Sequence, residues 1–275
     1  MMVTPELIRD HYDSLALVYR AFWGDHIHHG LFEHGDETPH EAQSALLDYC
    51  LKLVRPAAGS AVLDAGCGHG ATAVRLAREF GCQVVGLTIS QKQACLAREN
   101  AQRAGVQQRT LFLLQDAETY AYACKQFDLI WTMESSEHFA DKQRYFHRVA
   151  SALKPGGRLL LAAWTGSMDS ARVRAVARAC LCPALWTAQQ YRDGIEHAGL
   201  QILCCEDLTA KVIPTWEVCR QRARAARAAV ALLPRPAREF VKGIDLILAG
   251  YGSGELSYSV ISAIKPFAGS GECNG

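Results

Sequence analysis

The chain has 275 residues, 49% of them apolar, with 29 Lys and Arg against 28 Asp and Glu. That length suffices for one large α/β domain or two small ones with a sizeable core, and the near-zero net charge gives no support for bulk nucleic-acid binding. No apolar run reaches the ~18 residues of a membrane span, and the N-terminal MMVTPELIRDHYD lacks the basic and apolar regions of a secretory signal. The expectation is a cytoplasmic protein with no integral membrane span. Its eleven cysteines are expected to be reduced thiols, because Cys180-x-Cys182 and Cys204-Cys205 are not zinc-ligand spacings.

Thr4-Pro5-Glu6 combines an N-cap, a first-turn proline and a first-turn acid, which predicts a helix from Pro5 to about Phe22. Residues 24–40, rich in Gly and His, read as loop, and a second helix spans about 40–54 before Pro56 and a turn at Gly59. The next stretch, VLDAGCGHGATAVRLA over 62–77, carries the most information. A strand at 61–65 reaches Asp64, three glycines follow at alternate positions (Gly66, Gly68, Gly70), and Val74, Ala77 and Phe80 recur at helical spacing over about 70–80. Glycine lets backbone bend sharply and approach a ligand, and a helix start offers free N–H groups. An acid beside them suits an amine and ribose hydroxyls, so the stretch predicts a nucleotide-like ligand.

Strands then read at Gln83–Leu87, 110–114, Phe127–Met133 and 158–164. Between them lie a helix at about 90–104, closed by Gly105, and one at about 141–153, ended before Pro155-Gly156-Gly157. Such alternation predicts a mostly parallel sheet covered by helices on both faces. Further on, Thr187–His197 reads as a helix ended by Gly199, Gln201–Asp207 as a strand, and 215–249 as helical, broken by Pro234 and Pro236. Ser257–Lys265 reads as a last strand, and the tail AGSGECNG, 268–275, as disordered.

Several motifs recur in one order: Tyr12-Asp13 and Tyr19; Trp23-Gly24-Asp25-His26-Ile27-His28-His29-Gly30; the glycine loop; Gly86-Leu87-Thr88-Ile89-Ser90; Asp116-Ala117; Phe127-Asp128-Leu129-Ile130-Trp131; Met133-Glu134-Ser135-Ser136-Glu137-His138; and Pro155-Gly156-Gly157. Together, over about residues 5–267, the chain resembles the class I S-adenosylmethionine-dependent methyltransferases. Within them it is most similar to the γ-tocopherol methyltransferase-like small-molecule enzymes. The resemblance implies an α/β, Rossmann-like, seven-stranded sheet with its last strand antiparallel. One methyltransferase domain would cover 1–267, capped by segments at about 1–30, 166–186 and 210–255. It implies S-adenosylmethionine as cofactor, no metal, and methyl transfer to a natural-product, quinol, phenol or amine acceptor. Two alternatives stay open: lipid modification like that of the cyclopropane synthases, suggested by Thr88-x-Ser90, and a methyltransferase fold that binds a ligand or promotes a rearrangement without transfer.

Residue by residue, the resemblance puts Tyr12 at the cofactor, Asp64 at its methionine amino end, and the backbone of Gly66, Cys67, Gly68 and Gly70 against it. The acid usual at the end of strand two is replaced by Thr88, which also counts against a Rossmann NAD enzyme; Ser90 and Gln93 are placed to serve the ribose instead. Asp116 and Ala117 would meet adenine, or Asp116 would cap a short helix at 117–123. His138 is a candidate general base or a wall of the acceptor pocket, and Glu134 lies near the sulfonium or supports the pocket. His26, His28 and His29 read as an entrance loop rather than a metal set. The arginines at 220, 222, 224 and 227 read as a solvated cap face, an acidic-partner site or a membrane surface, and the five tryptophans are divided between core and pocket.

Overall fold

A computed structural model of the chain describes residues 3–24, 26–233 and 235–267. Asp25, Pro234, the tail at 268–275 and the side chains of Tyr19 and Trp23 lie outside the described residues. Helix α1 (Pro5–Trp23) starts as its sequence dictates, with the Thr4 hydroxyl accepting the Leu7 amide at 3.4 Å and Pro5 in the first turn. Helix α2 (Pro39–Val54) opens on a capping box between Thr38 and Glu41.

The sheet is built from β1 (Ala61–Ala65), β2 (Gln83–Thr88), β3 (Thr110–Leu114), β4 (Phe127–Met133), β5 (Leu153–Gly166), β6 (Gln201–Asp207) and β7 (Leu256–Ile264). Helices α3 (Ala71–Phe80), α4 (Gln91–Arg103), α5 (Lys142–Ala152), α6 (Ala171–Ala179) and α7 (Ala188–His197) connect them. Strand order is β3-β2-β1-β4-β5-β7-β6, and β7 runs antiparallel to both neighbours. Strand β1 pairs with both β2 and β4, so the order reverses there; ligands of open α/β sheets bind beyond the strand ends at such a point. A buried apolar cluster lies on each face of the sheet. Four helices cross above the strand ends after β6: α8 (Thr209–Val212), α9 (Pro214–Ala225), α10 (Arg227–Leu232) and α11 (Arg235–Gly252). Helix α11 packs on α6, α9 and α1, which makes these elements one cap. None of the described helices is long and apolar enough to cross a membrane.

Some boundaries differ from the sequence expectation for local reasons. Strand β5 begins at Leu153, not 158, because the Pro155-Gly156-Gly157 segment stays in the sheet as a bulge. The Gly156 amide donates to Lys265 O and the Lys265 amide to Gly157 O, each at 2.8 Å. No helix forms at 117–123; residues 117–119 are a turn closed by the Thr119 and Tyr120 amides on the Asp116 carbonyl. The 215–249 region breaks at Ala226 as well as between α10 and α11, and Pro236 is absorbed in the first turn of α11, where its missing N–H costs nothing.

Candidate active site

Asp64 ends β1 beneath the glycine loop, where Gly66, Gly68 and Gly70 all adopt positive φ (86°, 51° and 77°). The loop is pinned to β2 by the Gly66 and Cys67 amides, both donating to Leu87 O. The glycines are not equivalent. Gly66, Cys67 and Gly68 line a cavity of about 270 Å³, and a Cβ on Gly68 would run into Ile27 Cδ1 at 2.9 Å. A Cβ on Gly70 would instead meet Ala97 of α4 and Phe112 of β3 at 2.8 and 2.9 Å. Gly70 therefore serves helix–sheet packing and does not face the cavity. The Cys67 side chain turns inward under Gly86, leaving its backbone to the cavity.

Asp64 is 3% exposed, its Oδ2 has no hydrogen-bond partner, and burial pushes its carboxyl up to about 7. Such a group is matched by a cationic donor. At the end of β2, the Thr88 hydroxyl donates to Gln93 Oε1 at 2.8 Å, and both residues line the cavity. The Gln93 NH2 is a second, donor end of that pair. Ser90 does not reach the cavity. Its hydroxyl caps α4 by accepting the Gln93 amide and donates to Asp13 Oδ1 at 2.5 Å, which ties α1 to the start of α4. Asp13 also accepts the Lys92 amide at 3.1 Å. Ala117 lines the cavity, while Asp116 turns Oδ1 onto the Glu118 amide at 2.8 Å and stays off the lining.

Glu134 follows β4 in the left-handed region, at φ 49°. Its carboxylate accepts from the His29 amide and Tyr258 hydroxyl at 2.8 Å, from His29 Nδ1 at 2.9 Å and from Trp164 Nε1 at 3.3 Å. Burial alone would raise this carboxyl; the surrounding donors, His29 foremost, outweigh that and hold it at about 2. Trp216 Nε1, a donor only, gives its hydrogen to His29 Nε2 at 2.7 Å, so His29 carries its own hydrogen on Nδ1, toward Glu134. His26 and His28 contact each other at 3.2 Å, and the Gln43 amide donates to the His26 carbonyl, which fixes the segment as cavity wall. Glu134 is thus an ionised joint between the His28–His29 segment, β5 and β7.

His138 sits in a short turn at 136–138 on the far side of the cavity. Its Nδ1 lies 3.0 Å from the Leu181 carbonyl, which accepts only, so Nδ1 carries the hydrogen. The lone pair on Nε2 accepts from the Tyr12 hydroxyl at 2.8 Å. Burial lowers the imidazole to about 4, so it is neutral near pH 7. Around this pair the lining is apolar, with Ile8 and Leu15 from α1, Phe139, and Phe240, Val241 and Ile244 from α11.

Sequence reasoning missed Glu137, Leu181 and the thiols of Cys180, Cys182 and Cys219 at this end. Glu137 lines the cavity, accepts the Trp164 amide at 2.7 Å, and is pushed by burial up to about 8. Its place inside the Glu134–His138 motif was the available signal; nothing local marked Leu181. Of the tryptophans, Trp131 is in the core, Trp164 and Trp216 line the cavity, and Trp186 stacks near Phe146 and Tyr191. Arg222 borders the cavity, Arg220 pairs with Asp245 at 3.8 Å, and Arg224 and Arg227 are exposed.

Fold and site together define a class I S-adenosylmethionine-binding methyltransferase fold, and the chain is an enzyme of that class. Over residues 3–238 the chain belongs to the family described as mycolic acid cyclopropane synthetase. It is 31% identical to 27-O-demethylrifamycin SV methyltransferase of Amycolatopsis mediterranei (strain S699), covering 96% of this chain and 98% of that one. It is 27% identical to the chloroplastic tocopherol O-methyltransferase of Arabidopsis thaliana, over 94% and 82% of the two chains. The crystal structure of the [4+2]-cyclase SpnF matches with a TM-score of 0.84 at 25% identity, over 96% of this chain and 98% of that one. The likeness to tocopherol methyltransferases is therefore one of several.

Proposed function

We propose that this enzyme transfers the methyl group of S-adenosylmethionine to a hydroxyl on a small molecule with an apolar body. The observation that carries the reading is the neutral His138, its Nε2 lone pair held toward Tyr12 at the apolar end of the cavity. The relatives' names, a demethylrifamycin methyltransferase and a tocopherol O-methyltransferase, support a small-molecule acceptor. The cofactor supplies a methyl already activated on a positive sulfonium. Asp64 would take its ammonium, the Thr88–Gln93 pair its ribose diol, and Gly66, Gly68 and Ala117 would offer backbone against it. Tyr12 would close over the sulfonium end, and the ionised Glu134 would complement positive charge there rather than move a proton.

His138 takes the chemical role. The Leu181 carbonyl keeps the hydrogen on Nδ1, so the Nε2 lone pair, which holds the Tyr12 hydroxyl, would take up a proton through that hydroxyl, Tyr12 receiving the acceptor's proton in exchange, as the new O–C bond forms and the C–S bond breaks. Tyr12, whose phenol burial holds protonated, donates to the same site and orients the oxygen. The apolar lining excludes water and binds the acceptor's body. Incubation with S-adenosylmethionine and a panel of hydroxylated, phenolic and amine compounds tests this reading. It expects S-adenosylhomocysteine release with O-methyl products, and transfer confined to amines would contradict it. The likeness to SpnF favours a second reading, rearrangement without transfer; cofactor binding with turnover of an added substrate but no S-adenosylhomocysteine would select it.

A further inference from the structure

Lys142, the first residue of α5, is 1% exposed, yet its ammonium donates to two backbone carbonyls rather than to a carboxylate. These are Phe139 O at 2.7 Å and Ala184 O at 2.8 Å. A face of Trp186 lies 5.9 Å away. Burying an ammonium with only carbonyl dipoles in hydrogen-bond contact, the carboxyls of Glu137 and Glu118 acting from farther off, is costly, and an apolar residue of the same length would avoid that cost. The two carbonyls identify what the ammonium does. Phe139 follows His138, and Ala184 closes the loop that carries Leu181.

That loop is itself strained. Helix α6 ends in a Schellman motif, with the Cys182 amide donating to Ala177 O at 2.8 Å and the Leu181 amide to Arg178 O at 3.4 Å. Leu181 takes the left-handed position, at φ 54°, where glycine is favoured. The carbonyl of this strained residue is the one that accepts His138 Nδ1.

We infer that Lys142 is a positioning residue for His138: its ammonium clamps the turn carrying His138 to the loop carrying Leu181, so that the imidazole keeps its hydrogen on Nδ1 and its lone pair toward the cavity. The inference rests on the reading of His138 as the base. The groups that face His138 are His11 and Tyr12 from α1, the Leu181 carbonyl from the loop after α6, and Lys142 from α5; Glu137, Cys180 and Cys182 face Tyr12 beside it. Lys142 in turn faces Cys182, Glu137 and Glu118. Burial lowers Lys142 to about 8, so it is charged at neutral pH and disfavours a second positive charge on His138.

The test is nitrogen NMR of the imidazoles in the full-length protein, with the His138 signal assigned by its loss in His138→Ala. The wild type is expected to hold the Nδ1–H form and to titrate well below 6.5. In Lys142→Met the clamp and the charge are both lost; the tautomers mix and the titration moves up by about 0.5–1 pH unit. Lys142→Gln, which restores a donor without charge, recovers the tautomer but not the titration. Affinity for S-adenosylhomocysteine stays within about twofold in both variants. A Lys142→Met protein with wild-type tautomer and titration overturns the inference. Should Lys142→Met fail to fold, Lys142→Gln carries the test alone: a His138 that titrates there at the wild-type value overturns the inference. If His138→Ala keeps its transfer rate while these signals behave as expected, it is the base reading that fails and the positioning of the ring that stands.

Discussion

Asp64 has an unpaired buried oxygen and a carboxyl near 7, and that combination has a measurable consequence. The raised folded value means that, between about 4 and 7, the folded protein binds more protons than the unfolded chain, so stability falls as pH rises through that window. A bound ammonium reverses the balance by favouring the carboxylate. Cofactor binding near pH 6.5 should therefore release a proton from Asp64, and affinity should rise with pH up to about 7 and then level off. Titration calorimetry in buffers of different ionisation enthalpy reads this directly; no proton release at pH 6.5 would remove Asp64 from the ammonium site. At the other end, His138→Ala should lower turnover ~10²-fold or more while leaving cofactor affinity nearly unchanged. With S-adenosylmethionine saturating, so that Asp64 is already ionised, the acid limb of kcat/KM for the acceptor should lie near the lowered imidazole value of about 4, not at 6.5. An amine acceptor, with its lone pair already available, would leave the mutant near normal and the profile flat. Motif resemblance fixes the chain position of both residues. It could not say which way side chains turn: Gly70 packs against α4 and β3, Ser90 and Asp116 bond to nearby amides, and none of the three lines the cavity.

Among the elements, the glycine loop and the cap do different work. Gly68, at φ 51° with Ile27 against it, is proposed to bring backbone to the cofactor; Gly68→Val should then abolish S-adenosylmethionine binding, and unchanged affinity would sink the loop's role. Gln93→Ala should weaken the cofactor by about 1–2 kcal/mol, the scale of one lost hydrogen bond. Helix α1 is tied to α4 through Asp13 and to His138 through Tyr12, and it meets α11 over the cavity. Acceptor must enter through that cover and water must then leave. Hydrogen exchange should show α1 and α9–α11 gaining protection when cofactor and acceptor bind; identical protection in both states would contradict a closing cover. Helices α1 and α4 were legible because their ends are marked, by Thr4-Pro5 and by Gly105, and α3 because apolar residues recur at helical spacing after the glycine turn. Helix α6 was not among the expected elements, although Ser170 as its cap and the stripe of Val173, Val176 and Ala177 were there to be read. Helices α9 and α10 were not separable, because an Arg- and Ala-rich run offers neither an apolar period nor a glycine at the break at Ala226.

For the molecule as a whole, the reversal of strand order between β1 and its two neighbours puts Asp64 and Glu134 on adjacent strand ends, under one cap. The alternation of strands and helices announced a mostly parallel sheet, and the family resemblance implied its seven strands and the antiparallel β7; the order of the strands was in neither. Beyond reach were contacts between residues far apart in the chain: Glu134 with Tyr258, His29 with Trp216, His138 with Leu181. The first joins the end of β4 to β7, the second the His28–His29 segment to α9, and the third the turn after β4 to the loop after α6. The central claim is that the cofactor lies from Asp64 to His138 with its methyl aimed at the acceptor end. A crystal structure of the protein with S-adenosylmethionine tests it most directly. The ammonium should lie on Asp64, the ribose diol at Thr88 and Gln93, and the methyl toward His138 and Tyr12; a methyl directed away from that pair, or a ligand that leaves Asp64 unpaired, would contradict it.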